Sequence, residues 1–263
     1  MRPAGERFHS QLDWLDSWHT FSFSNHHDPA WMGFGPLRVI NDDTIAAGRG
    51  FGMHPHRDME IVTVMVDGQL NHRDSMGHAE VLRAGEVQRM SAGTGIVHSE
   101  INGGEQPCRL LQIWIEPSRS GIAPDYEQKP FAIGEAWTPL LDPQQRQGAM
   151  AIDRPVRLWR ARPVGGCTLS LPLQPGRLGW LQLISGAGCW TADHGDETQH
   201  PSKAEPQSRP ELELQSPSQL PLTSPSTPLA LHQGDGLGFL AGEETATFTA
   251  DATGADLLLF ELS

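Results

Sequence analysis

An all-β fold is the class this sequence predicts. Two observations carry that expectation. The 263 residues include 28 glycines and 21 prolines. Between them, short apolar and β-branched runs recur roughly every ten residues, broken by turn-forming residues. The length allows one large domain or two small ones.

The elements follow in order. Residues 1 to 25 hold Trp14, Trp18, Phe21 and Phe23, an aromatic-rich start that reads as packing at one end of a barrel. Ile61 to Val66 is a β-branched apolar run ended by the turn Asp67-Gly68, and Val81-Leu82 leads into Ala84-Gly85. Leu110 to Ile115 reads as a further buried strand. A proline-containing connector, with its linker at 131–149, separates this first unit (1–130) from a second (150–263). There the strand candidates are Val156–Trp159, Cys167–Leu171 and Trp180–Ile184, with glycine-rich turns between them. Residues 193–228 carry seven prolines and six serines with no period. That composition cannot bury enough apolar surface to offset ordering entropy, so a disordered insert is expected there. Loop closure costs rise slowly with length, so the second unit can carry it. Strands resume at Leu229 and run to Leu262.

The formal charge of −13 and a pI near 5.3 argue against nucleic acid as a partner, because phosphate binding needs clustered Lys and Arg. Cys108, Cys167 and Cys189 are odd in number and unevenly spaced. They imply no disulfide framework and read as small buried hydrophobes. The first fifteen residues are interrupted by Glu6, His9 and Asp13, and no apolar run is long enough to span a bilayer. A cytoplasmic protein is expected, and a monomer.

Two short stretches carry the chemistry: His54-Pro55-His56, with Glu60 beyond it, and His98-Ser99-Glu100. On a strand, residues two apart share a face. His54 and His56 therefore aim together, as do His98 and Glu100. A lone histidine is more often a hydrogen-bonded core residue than a ligand, but two pairs of matching parity change the reading. Side by side, the strands bring three imidazoles and a carboxylate to one point, a donor set for a divalent first-row metal. Glu60 competes for the fourth place, since its parity also matches His54 and His56. Helical zinc-protease and zinc-ribbon patterns are absent.

The spacing resembles the cupin superfamily and, within it, the pirin family. Gly48, His54-x-His56, Glu60 and Gly68 follow the first cupin motif; Gly85, Ser91-x-Gly93, His98 and Asn102 follow the second. Ser91 in place of a proline, and two extra residues before His98, match the pirin version, as does the run Met90 to Glu100. Leu37–Asp43, His72–Gly77 and Leu111–Ile115 extend the likeness, which is dense over residues 8 to 130.

The resemblance implies a bicupin, two tandem antiparallel β-barrels of the jelly-roll type. It implies Glu100 as the fourth ligand, with Glu60 a nearby group outside the ligand set, and Fe(II) as the metal. Ni, Cu, Mn and Zn suit the same donors. The second barrel lacks a His-x-His and is expected to carry no metal. The implied activity is quercetin 2,3-dioxygenation, opening a flavonol ring with O2 and releasing carbon monoxide, with Glu100 or Glu60 as catalytic base. Phe51, Met53, Met65, Met90 and Trp114 are candidates for an apolar wall around a flat aromatic guest. The alternative is a metal- or redox-responsive regulator with a protein partner, either a transcription factor or a metabolic enzyme. It would need an exposed partner surface in place of a deep pocket.

Overall fold

The computed structural model describes residues 1–192, 228–241 and 246–263. The insert expected at 193–228 lies, Pro228 apart, outside the described residues. Within these, the regular structure is strand plus three short 3-10 turns. No helix among them is long and apolar enough to cross a membrane.

The N-terminal half contains β1 (Phe8–Gln11), β2 (Leu15–His19), β3 (Leu37–Ile45), β4 (Gly50–His56), β5 (Glu60–Asp67), β6 (Gln69–Asp74), β7 (Ala79–Arg83), β8 (Glu86–Ser91), β9 (Ile96–Ile101), β10 (Cys108–Ile115) and β11 (Asp125–Pro130). They form two antiparallel sheets. A large one has the order β1-β2-β3-β10-β5-β8-β11, and a small one runs β4-β9-β6-β7. The aromatic start does more than close a barrel end, because β1 and β2 extend the large sheet by pairing onto β3.

Alternation along the large sheet separates two buried faces. Val62 and Val64 of β5, Leu111 and Ile113 of β10, and Ile40 of β3 point outward into a core shared with the C-terminal half. Their neighbours point inward, toward the small sheet. At one end of this inner face, Ile45, Met65 and Leu110 pack against Leu70 and Leu82. At the other end, Ile61 and Met90 pack against Ile96. Between these apolar ends lies the functional cavity.

The C-terminal half contains β12 (Thr138–Leu141), β13 (Arg157–Ala161), β14 (Thr168–Ser170), β15 (Leu178–Ala192), β16 (Leu229–His232), β17 (Gly236–Leu240) and β18 (Ala246–Leu262). β12 falls within the stretch read as linker, and its apolar pair Leu140-Leu141 is fully buried. β15 and β18 pair along nearly their whole length, with register shifts at Leu183/Ser185 and Gly186/Gly188. Gly186 makes the bend possible: its φ is +76°, and a Cβ there would lie 2.1 Å from the Gly254 carbonyl. The bent pair encloses a second core around Trp190, Phe239 and Phe248. The two halves share Trp180, which contacts Phe21 and Phe34. The Arg109 guanidinium also spans them, donating to Asp42 at 2.8 and 2.9 Å and to the Ile184 carbonyl at 2.8 Å.

Because the core is common to both halves, Ile113→Ala should destabilise the whole protein by about 2–4 kcal/mol. Denaturant unfolding followed by CD and by tryptophan fluorescence should give one coincident transition. Two separated transitions would mean that the halves fold independently.

Candidate metal centre

β4 and β9 build the centre. His54 lies directly opposite His98, and Phe51 opposite Glu100. Phe51 and His54 are three positions apart on β4 while their partners Glu100 and His98 are only two apart on β9, so β4 carries one extra residue at Gly52-Met53. This bulge puts Phe51 and His54 on the same face although they are three residues apart. It also orients an imidazole. His54 Nδ1 lies 2.7 Å from the Gly52 carbonyl oxygen, which can only accept, so Nδ1 carries the proton and Nε2 is free to ligate. Gly50 permits the close strand approach, since a Cβ there would sit 2.2 Å from the Glu100 carbonyl oxygen.

His54, His56 and His98 converge, with ligand atoms all within 4.8 Å of one another. His98 is fully buried, and neither ring nitrogen has a hydrogen-bond partner among the described residues. An unpaired imidazole at that depth is costly, and a metal bond supplies the missing partner. Burial, then the His54 and His56 charges, hold the His98 pKa down at about 3. Burial, then His54, holds His56 at about 4. Both rings are therefore neutral at physiological pH, as ligation requires.

Glu100 lines the same cavity as His54 and His56. Thr63 Oγ1, which donates to Gln112 Oε1 at 2.8 Å, lies 3.4 Å from the Glu100 Oε1. Burial, and then Asp43, push its carboxyl up to about 7. The tight set within 4.8 Å consists of the histidines alone, with Glu100 one pair further along the ladder.

Glu60 does not join them. β4 ends at His56, and the chain turns through Asp58 at φ +47°. It then enters the other sheet as β5, so the parity shared with His56 carries no meaning there. Glu60 instead has the parity of Val62 and Val64, on the outward face. Its Oε2 accepts from Ser91 Oγ at 2.7 Å, and burial raises its pKa against the pull of Ser91 and Arg89.

The cavity has a volume of about 410 Å³, within the usual range for small-molecule sites. Of the apolar wall candidates, Phe51 and Trp114 line it. Trp114 meets His56 edge-on at 5.0 Å. Met65 and Met90 are sealed in the flanking cores, and Met53, at the bulge, is 60% exposed. The large sheet also contributes the polar side chains Ser10, Ser17, His19, Asn41, Asp43 and Gln112 to the lining. Sequence reasoning did not single these out as site residues. Their signal was polar residues inside apolar runs, such as Gln112 within Leu110–Ile115.

A model of the Pirin family matches residues 2–115. The quercetin 2,3-dioxygenase of Escherichia coli K12 is 46% identical over 187 residues, covering 71% of this chain and 81% of that protein. This chain belongs to the pirin family. In structure the pirin resembles YhhW from Escherichia coli, with a TM-score of 0.81 and 37% identity over 100% of this chain and 96% of the other. The same bacterial pirin in complex with nickel(II) matches at TM-score 0.80 and 37% identity, covering 99% and 97%. This chain has an all-β cupin fold and a three-histidine site suited to a divalent metal, and its solved relative is known with nickel(II) bound.

Replacing His98 by Ala should abolish stoichiometric metal binding while far-UV CD stays unchanged, because the strands carry their own apolar cores. Full metal retention would overturn its role. A second expectation concerns protons. A carboxyl held at about 7 is protonated in the metal-free protein at pH 6 and ionised at pH 8. If the metal takes Glu100, uptake should release close to one extra proton at pH 6 and almost none at pH 8. Calorimetry in buffers of different ionisation enthalpy measures this, and equal release at both pH values would exclude Glu100 as a ligand.

Proposed function

We propose that this pirin is a metal-dependent dioxygenase of the flavonol type, opening quercetin-like substrates with O2 and releasing carbon monoxide. The observation that carries this is the cavity itself: three convergent imidazoles at one wall, a buried carboxyl beside them, and an aromatic rim. A regulator built on a partner surface would not need such a depth. The relatives' names support the reading, and iron is the metal we assign on family likeness.

His54, through Nε2, with His56, His98 and Glu100 would hold the ion. When bound, it would supply Lewis-acidic chemistry toward an oxygen-chelating substrate and redox chemistry toward O2. The chain's own residues do the rest. Phe51 and Trp114 offer flat apolar surface on which a ring system can lie. Glu100 accepts the proton of the flavonol 3-hydroxyl. Its burial excludes competing water from the proton transfer. Glu60, on the far face of the sheet, takes no part.

Aerobic incubation of iron-loaded protein with quercetin should remove the flavonol absorbance, and anaerobic incubation should not. No O2-dependent loss with iron, nickel, copper, manganese or zinc would refute the activity. Recovery of a protein partner without flavonol turnover would favour the regulator.

A further inference from the structure

The inner face of the large sheet carries a row of polar side chains where strand alternation would otherwise place apolar ones. Thr63 of β5 pairs with Gln112 of β10, Gln112 with Asn41 of β3, and Asn41 with His19 of β2. Four strands thus contribute one lateral row, and all four residues are buried. Beside it, Ser17 of β2 pairs with Asp43 of β3. Buried polar groups cost free energy unless they are bonded, so the bonding pattern shows what the row is built to present.

That pattern has a direction. The Ser17 hydroxyl donates to Asp43 Oδ1, so toward His19 it can only accept. His19 Nδ1 lies 3.3 Å from Ser17 Oγ and 2.8 Å from Asn41 Oδ1. Both are acceptors, so Nδ1 carries the proton. His19 Nε2 then accepts from the Ser10 hydroxyl at 2.9 Å, and Ser10 Oγ accepts from His26 Nε2 at 3.0 Å. The chain ends by holding Asn41 by its oxygen. The Asn41 amide nitrogen and Asp43 Oδ2 are left without hydrogen-bond partners among the described residues, on side chains that line the cavity. One is a donor and the other an acceptor. Two residues apart on β3, they face the same way.

We propose that Asn41 and Asp43 determine specificity by reading oxygen substituents on the substrate's rings, Asn41 donating to an oxygen and Asp43 accepting from a hydroxyl. His19 is a positioning residue that fixes the Asn41 amide. The chemical class selected is a polyhydroxylated flat aromatic, in preference to the same ring system without its hydroxyls. This rests on the flavonol reading above.

The test compares quercetin with 3-hydroxyflavone, which keeps the chelating edge and lacks the other hydroxyls. Binding to the zinc-loaded full chain is followed by quenching of tryptophan fluorescence, since Trp14 and Trp114 line the cavity. Wild type should bind quercetin at least about tenfold more tightly, and Asn41→Leu and Asp43→Asn should each cut that ratio by roughly tenfold, the size of a lost hydrogen bond. Thermal unfolding and metal content establish that each variant is folded and loaded, and the near-isosteric Asp43→Asn guards against a folding defect in Asn41→Leu. An unchanged ratio in both variants, or no preference in wild type, overturns the proposal. If the ratio collapses while no metal form turns over either flavonol, the reading role stands and the dioxygenase activity falls. Turnover with an unchanged ratio sinks the reading role alone, and binding of neither compound overturns both.

Discussion

The antiparallel pairing of β4 with β9, one residue out of step, is the constraint on which the site depends. With strict alternation, the residue three after Phe51 would point to the opposite face. The extra residue at Gly52-Met53 restores parity, so that His54 meets His98 while the Gly52 carbonyl accepts the hydrogen bond from His54 Nδ1–H. One local irregularity sets the position and the tautomer of the ligand together. The third imidazole follows two residues later at His56, and its ring lies 4.9 Å from that of His98.

The large sheet serves two purposes by the same alternation. The apolar side chains of its outward face fuse with the C-terminal half, whose bent strands supply Trp180, Leu258 and Phe260 to the common core. Its inward face is apolar only at the ends, and in the middle it is a lattice of hydrogen bonds facing the histidines. The second half therefore acts on the site indirectly, by stiffening the wall from behind. Two buried carboxyls line the cavity, Asp43 on that wall and Glu100 on β9 of the small sheet, and each is pushed up to about 7. Burial is the main cause for both, and Asp43 adds to the shift at Glu100. A bound cation would favour the ionised form of both carboxyls.

The strands were legible as apolar, β-branched runs bounded by turns: 61–66, 110–115 and 180–184 are strands, and the last series begins at Leu229 and closes at Leu262 as expected. His54, His56 and His98 were readable as a cluster because residues two apart on a strand share a face. Glu60 was not, because periodicity holds only within one strand, and the chain changes sheets between His56 and Glu60. The polar row escaped notice because it is lateral: Thr63, Gln112, Asn41 and His19 lie on four strands far apart in sequence. Only register, which is set by pairing, brings them into line. Gln112 inside an otherwise apolar run was the available hint, since a polar residue at a buried strand position needs a partner.

The central claim is that Glu100, carried on β9 with His98, completes the metal site, and that Glu60 stands apart from it. A metal titration of Glu100→Gln and Glu60→Gln against a competing chelator tests this most directly. Glu100→Gln should lose roughly ten- to a hundredfold or more in affinity, because a neutral amide forfeits the charge that stabilises the cation. Glu60→Gln should bind as wild type does. Weakened binding in Glu60→Gln with full affinity in Glu100→Gln would contradict the claim.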